Sequence, residues 1–265
     1  MRRLLAAALL AALLAPAASA RAPTVHVSGS TTVRPLVADL AWFYRQEIRR
    51  PPRFTIVGGG TEAGIADAAR GIVDVGLASR ARLPADPGGL VFTPFAASGV
   101  CLVTNASNPL PALTRAALQQ LVSARASSWA QVAGSPRTDA IVPVGLDAGT
   151  GARSVFVGTF VDVATELAYV PRTFSTAVQV RDFVRATPAA WGYVDIAFTA
   201  SLHVVPYEGV GCTRATVAAG TYPGRRELSF VTAGRPRPAA ARFIRWVRTS
   251  RTARRVIATR YVPVG

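Results

Sequence analysis

The chain contains no lysine; all 30 of its basic residues are arginine. A phosphate-gripping GxxxxGK[ST] loop requires a lysine, so nucleotide hydrolysis of that kind is excluded. Histidine is scarce. His26 and His203 stand alone, and neither has a Cys, His or carboxylate at ligand spacing, so no metal centre is encoded and few general bases are present. No carboxylate pair, Cys–His pair or GxSxG elbow appears, which argues against hydrolytic catalysis. Cysteine occurs twice, at Cys101 and Cys212. Both lie in strand-like surroundings, and their spacing is compatible with one disulfide or with two buried thiols. Beyond the first twenty positions no apolar run is long enough to span a bilayer.

What is present starts with an export signal. Arg2-Arg3, the apolar run Leu4 to Leu14 and the small residues Ala18-Ser19-Ala20 form a signal peptide over residues 1–20, cleaved after Ala20. The expected destination is the periplasm. Half of the residues are apolar (50%), enough for a core in one large domain or two smaller ones. Net charge is +16. GC-rich codon usage accounts for arginine in place of lysine, and a positive field that draws in small anions accounts for the same charge. The arginines do not cluster with stacking aromatics, so nucleic acid is not an expected partner.

Strand-like runs alternate with helix-like runs of about ten residues, which implies α/β layers with largely parallel sheets. The pattern predicts strands over 24–27, 53–57, 74–77, 90–93, 99–104, 141–144, 191–195, 202–206 and 227–232. It predicts helices over 35–48, 61–70, 114–121, 154–163, 177–186 and 238–251. Chain crossovers are expected near Ala96–Gly99 and Gly220–Gly224. They divide the mature chain into one lobe of residues 21–96 with 220–265 and a second of residues 97–219, with a ligand cleft between them.

Three loops share one design: a strand, then Gly, Ser or Thr, then a helix. They are Ser28-Gly29-Ser30-Thr31-Thr32, Gly58-Gly59-Gly60-Thr61, and Asp147-Ala148-Gly149-Thr150-Gly151-Ala152-Arg153. Free N–H groups and the positive end of a helix dipole meet at each, and hydroxyls add donors without charge. Glycine lets the backbone approach a ligand closely. A fourth element is Val75-Gly76-Leu77-Ala78-Ser79-Arg80, a buried strand that ends in an arginine suited to bidentate oxyanion binding. Taken singly, each loop also reads as an ordinary helix cap. Together they describe an oxyanion pocket formed by Ser30, Thr31, Thr32, Thr61, Ser79, Arg80, Thr150, Gly151, Ala152 and Arg153. Binding without chemistry is the simpler reading, and no cofactor is called for.

These residues resemble, in order along nearly the whole mature chain, the periplasmic phosphate-binding proteins of ABC transporters, the PstS-like family. The resemblance rests on Gly29-Ser30-Thr31-Thr32, Gly59-Gly60-Thr61 with Gly64-Ile65, Gly71-Ile72-Val73-Asp74-Val75-Gly76 and Ser79-Arg80. It continues through Leu113-Thr114 with Trp129, Gly149-Thr150-Gly151-Ala152-Arg153 with Phe156, Ala190-Trp191-Gly192-Tyr193-Val194 and Tyr222-Pro223-Gly224-Arg225-Arg226. It implies a two-lobed, class-II periplasmic binding fold. Each lobe would hold a mixed, largely parallel sheet flanked by helices, closing on its ligand by hinge motion. It also implies a monomer that delivers phosphate or a related oxyanion to an inner-membrane ABC permease. The family's ligand shell falls on Thr31, the N–H of Thr32, Thr61, Thr150 and the N–H of Gly151. Ala152 stands where the family usually has Thr.

Two further departures bear on selectivity. The family's arginine four positions before the third-loop hydroxyl is Leu146 here, and its aspartate after the serine matching Ser79 is Arg80. That aspartate accepts the proton of hydrogen phosphate and so excludes sulfate. The expectation is an oxyanion site with weaker phosphate-over-sulfate discrimination and with affinity resting on Arg80, unless Glu62 or Asp147 supplies an acceptor. The alternatives are a binding protein with a changed ligand or a sensory role and, less favoured, an exported phosphoester hydrolase or a basic envelope protein bound to anionic lipid.

Overall fold

The computed structural model describes residues 22–161 and 172–264. The expected signal peptide and the end of the helix expected over 154–163 lie outside the described residues. Two sheets are joined by one long strand. In the first, β1 (Thr24–Gly29) pairs in parallel with β2 (Arg53–Gly58) and β3 (Val75–Ala78). The long strand is β4 (Leu90–Asn105), whose first part joins this sheet. The second sheet is built on the rest of β4 with β5 (Val142–Leu146), β6 (Arg172–Phe174), β7 (Ala190–Asp195) and β8 (Leu202–Val205). The chain then returns to the first sheet through β9 (Arg225–Ala233), which lies antiparallel between β3 and β4, and β10 (Val262–Pro263), which pairs with Ala97 and Ala96.

Both sheets are mixed. The outer pairings β1–β2, β1–β3, β5–β6 and β5–β7 are parallel, while every pairing made by β4 or β9 is antiparallel. The sequence pattern separated 90–93 from 99–104, but the strand runs through the expected crossover, and its register shifts between Pro94 and Ala96. Pro94 and the small residues after it interrupt the apolar pattern without ending the strand. Phe95 to Asn105 are all buried, as in a strand covered on both faces.

Helices cover the sheets: α1 (Arg34–Glu47), α2 (Thr61–Ala69), α3 (Arg115–Val122), α4 (Gly151–Phe160), α5 (Ala177–Ala186), α6 (Arg214–Ala219), α7 (Pro238–Thr249) and α8 (Arg251–Ala258). The i, i+3, i+4 spacing of Leu36, Val37, Leu40, Ala41 and Tyr44 turns one face of α1 inward. Thr114 caps α3 by accepting from the Ala117 N–H. The single last helix expected over 238–251 is two helices. Ser250 adopts an extended ψ of 135°, and its hydroxyl accepts from the Thr252 and Ala253 N–H groups, so it ends one helix and caps the next.

Two main apolar cores result. One gathers Val25, Val27, Leu36, Leu40, Tyr44, Phe230, Phe243 and Ile257 around the first sheet. The other gathers Val100, Leu102, Trp129, Phe156, Phe160, Trp191 and Tyr193 around the second. Phe95 stacks on Phe230 at 4.3 Å between ring centroids, and Phe156 stacks on Tyr193 at 4.0 Å. Each such ring contributes roughly 1.5–3 kcal/mol by leaving water. Cys101 on β4 and Cys212 before α6 form a disulfide in the second core. Among the described residues no helix is long and apolar enough to cross a membrane.

Candidate oxyanion site between the lobes

The strands of the first sheet deliver their loops to one end. Gly29 and Gly58 are register partners at the ends of β1 and β2, and Leu77 of β3 lies beside Gly29. Ser30 follows β1, and its hydroxyl accepts from the Val33 N–H at 3.3 Å, capping the turn into α1. Thr61 is the first residue of α2 and Ser79 follows β3 directly. Ser30 Oγ donates to Ser79 Oγ at 3.0 Å, and Thr61 Oγ1 lies 3.1 Å from the same oxygen. The Ser79 N–H donates to Thr61 Oγ1 at 3.2 Å. All three residues are buried, at 2%, 1% and 0% exposure for Ser30, Ser79 and Thr61.

The third loop meets this cluster from the other lobe. Thr150 caps α4 by accepting from the Arg153 N–H, and its own hydroxyl donates to the Asp147 carbonyl. Gly151, the first residue of α4, presses against the hydroxyls. A Cβ at this position would lie 2.4 Å from Ser79 Oγ and 2.7 Å from Thr61 Oγ1, so only glycine fits. Gly60 takes a positive φ of 94°, and a Cβ there would come within 3.0 Å of the Gly149 carbonyl. That carbonyl accepts from the Glu62 N–H at 3.2 Å. Thr31 also reaches across, donating to the Ser175 carbonyl at 3.4 Å.

The backbone completes the arrangement. Among the described residues, the N–H groups of Thr31, Thr32, Thr61, Gly151 and Ala152 have no hydrogen-bond acceptor. They belong to the turn that leads into α1 and to the first turns of α2 and α4, where intrahelical partners do not exist and the dipole is positive. Thr32 is buried, and its carbonyl accepts from the Tyr261 hydroxyl. Burial, with Asp195 nearby, pushes the Tyr261 hydroxyl well above its ordinary pKa, so it remains a neutral donor.

The two arginines of the sequence reading have defined partners. Arg153 donates to the Leu146 carbonyl at 3.1 Å. Arg80 gives its Nε and Nη2 to the two oxygens of Glu62, at 2.8 and 2.7 Å. Its Nη1 and Nη2 also reach the two oxygens of Asp86, at 2.8 and 2.7 Å, and Nη1 reaches the Ala81 carbonyl. Every N–H of this guanidinium is thereby engaged. Burial alone would lower the Arg80 pKa, but the bonds to Asp86 and Glu62 outweigh it and hold the charge in place. The same bonds keep Asp86 below the usual carboxylate range.

The residue that does touch the hydroxyl cluster with a positive charge is Arg226. It lies at the start of β9 and is 4% exposed. Its Nη1 donates to the Ser79 carbonyl at 2.9 Å and to Ser79 Oγ at 3.2 Å, and its Nη2 donates to Asp195 Oδ2 at 2.7 Å. Asp195, fully buried at the end of β7, also accepts from Ser98 Oγ and the Ala197 N–H. Sequence reasoning assigned neither Arg226 nor Asp195 a role. The only signal was the Tyr222-to-Arg226 motif, and nothing local distinguishes that arginine from the others.

A family profile described as the PBP superfamily domain matches residues 15–251. The chain belongs to this superfamily. "Phosphate-binding protein PstS 2" of Streptococcus pneumoniae is 30% identical over 110 residues, a match that covers 41% of this chain and 37% of that protein. The fold is that of a substrate-binding protein with bound phosphate from Clostridium perfringens. The TM-score is 0.82 at 23% identity, over 91% of this chain and 100% of the other. An ABC-type phosphate transport receptor from Vibrio cholerae gives a TM-score of 0.72 at 22% identity, over 90% and 99% of the two chains. The two-lobed α/β architecture is thus shared with phosphate-transport receptors.

Proposed function

We propose that this protein binds phosphate or a related tetrahedral oxyanion between its lobes and delivers it to an inner-membrane ABC permease. In this reading the chain is exported, cleaved after Ala20, and divided into lobes near Ala96 and Gly220. One observation carries the reading: three helix N-termini with unpaired N–H groups meet at the buried hydroxyls of Ser30, Thr61 and Ser79. Helix N-termini favour anions, and the hydroxyls donate without requiring a formal charge. The proposed ligand shell is Thr31, Thr32, Thr61, Ser79, Gly151 and Ala152, while Ser30 and Thr150 shape it from behind, because their hydroxyls already donate to Ser79 Oγ and to the Asp147 carbonyl. Arg153 stands beside the third loop. Arg80 serves it indirectly, by fixing Glu62 at the start of α2. The names of the relatives support phosphate as the first candidate.

Both Glu62 oxygens accept from Arg80, which weakens Glu62 as an acceptor for the proton of hydrogen phosphate. Phosphate and sulfate are therefore expected to compete for the site with affinities within about tenfold of each other, a difference of roughly 1.4 kcal/mol. Isothermal titration of the mature protein, stripped of bound anion, tests this with phosphate and then sulfate. Heat from neither anion would defeat the oxyanion reading.

A further inference from the structure

We propose that Arg226 is the positioning residue of the oxyanion site: anchored on Asp195, it turns the Ser79 hydroxyl into a donor aimed at the bound anion. The proposal rests on the oxyanion reading above. A serine hydroxyl has one proton to give and two lone pairs with which to accept. Ser79 Oγ accepts from Arg226 Nη1 and from Ser30 Oγ, which uses both lone pairs. A guanidinium can only donate, so the direction of the Arg226 bond is fixed. The Ser79 proton is what the oxygen has left to offer. Within the protein it faces Thr61 Oγ1, 3.1 Å away, and that oxygen already accepts from the Ser79 N–H. An oxyanion placed among the three helix starts is a better acceptor than a threonine hydroxyl, because a charged acceptor makes a bond about twice as strong.

The geometry of the clamp suits this role. The same Nη1 holds both the carbonyl and the hydroxyl of Ser79, so it fixes the backbone and the side chain together. The Asp195 carboxylate holds Nη2 and is itself held by Ser98 and Ala197, so the guanidinium cannot swing away. Ser79 directly follows a strand of the first sheet and Asp195 ends a strand of the second. Arg226 therefore sets a ligand-shell residue of one lobe against a rigid point of the other. Arg80 has no donor left for this purpose. Arg226 Nε, by contrast, is buried without a partner among the described residues, so this guanidinium keeps a donor in reserve.

The test is a double-mutant cycle read by titration with inorganic phosphate. Arg226→Met and Ser79→Ala are each expected to weaken binding on the order of ten- to a hundred-fold, the usual range for losing a bond tied to a charged group. If Arg226 acts through Ser79, the double variant binds about as weakly as Ser79→Ala alone. Multiplying losses overturn the proposal, because they assign Arg226 an independent effect, as does an Arg226→Met protein that binds like the wild type. Arg226→Lys keeps a donor near Ser79 and is expected to recover part of the affinity. It replaces Met in the cycle should the Met variant fail to fold, with the same two outcomes. Wild-type protein that binds neither phosphate nor sulfate overturns the oxyanion reading and the proposal with it. Wild-type binding with an additive cycle overturns the proposal alone.

Discussion

Gly151 lies against Ser79 so closely that a methyl group at position 151 would stand 2.4 Å from the serine hydroxyl and 2.8 Å from its carbonyl oxygen. The two residues come from opposite lobes. Their contact leaves no room for a side chain at position 151.

Gly151→Ala is therefore expected to fold but to hold the lobes apart. Forcing one methyl into a packed site costs about 1–3 kcal/mol, which here falls on closure and weakens anion binding by roughly ten- to a hundred-fold. Titration with phosphate checks the affinity, and small-angle scattering with saturating anion checks the shape. Wild-type affinity in this variant would show that the two residues do not meet around the ligand.

Arg80→Met is expected to harm stability more than binding. It strands Asp86, whose side chain is 5% exposed, without its cation. Removing one partner of a buried pair costs about 3–5 kcal/mol. The half-exposed Glu62 adds little to that figure because water screens it. Thermal unfolding should show a clear fall in midpoint, while phosphate affinity at low temperature drops less than in Arg226→Met. The reverse ranking would return the ligand cation to Arg80.

The Asp86 carboxylate also predicts an acid limb. The Arg80 guanidinium beside it holds its pKa below the ordinary value of about 4. A carboxylate with a lowered folded-state pKa contributes stability above the unfolded value, and that contribution is lost as pH falls through the folded value. Unfolding free energy should thus decline below about pH 4. Asp86→Asn, less stable at neutral pH, should decline less steeply over the same interval. Parallel pH curves for the two proteins would remove Asp86 from the account.

Reduction of Cys101–Cys212 should lower stability without abolishing the site, because neither cysteine is in the proposed ligand shell. The bridge spans a sequence separation of 111 residues. Loop-closure entropy for such a span amounts to about 4–5 kcal/mol. In a domain of this size that corresponds to roughly ten degrees in melting midpoint, measurable by calorimetry with and without reductant. An unchanged midpoint on full reduction would mean that the reduced unfolded chain is already constrained.

The strand-to-helix turns of the three loops are readable because their chemistry is local. Gly60-Thr61 and Thr150-Gly151 announce a turn and a helix start within a few residues, and the structure places both where their N–H groups converge. Arg226 was not readable. Its meaning depends on Asp195, 31 positions earlier, and on Ser79, 147 positions earlier, and it is one of 30 arginines. The same non-locality hid the state of Arg80, since Asp86 finds it only through the fold of the intervening loop. Strand β4 was divided in two because Pro94 and Ala96–Gly99 resemble a linker. Their neighbours β9 and β10 supply the pairing that keeps them extended. Ser250 gives no local sign in the sequence, because its cap breaks a helix without a proline or glycine to mark the place.

The position of β9 sets the order of assembly. Strand β3 reaches β4 only through β9, which arrives after the whole second lobe has been made. A chain emerging amino terminus first would present β1, β2 and β3 with the β3 edge open until β9, at Arg225–Ala233, appears. Such long-range pairing slows folding and leaves an edge exposed to aggregation. For a chain exported as proposed above the delay would be useful. A first lobe unable to close on its own would stay threadable, and the proposed anion site would form only after the last strands had crossed.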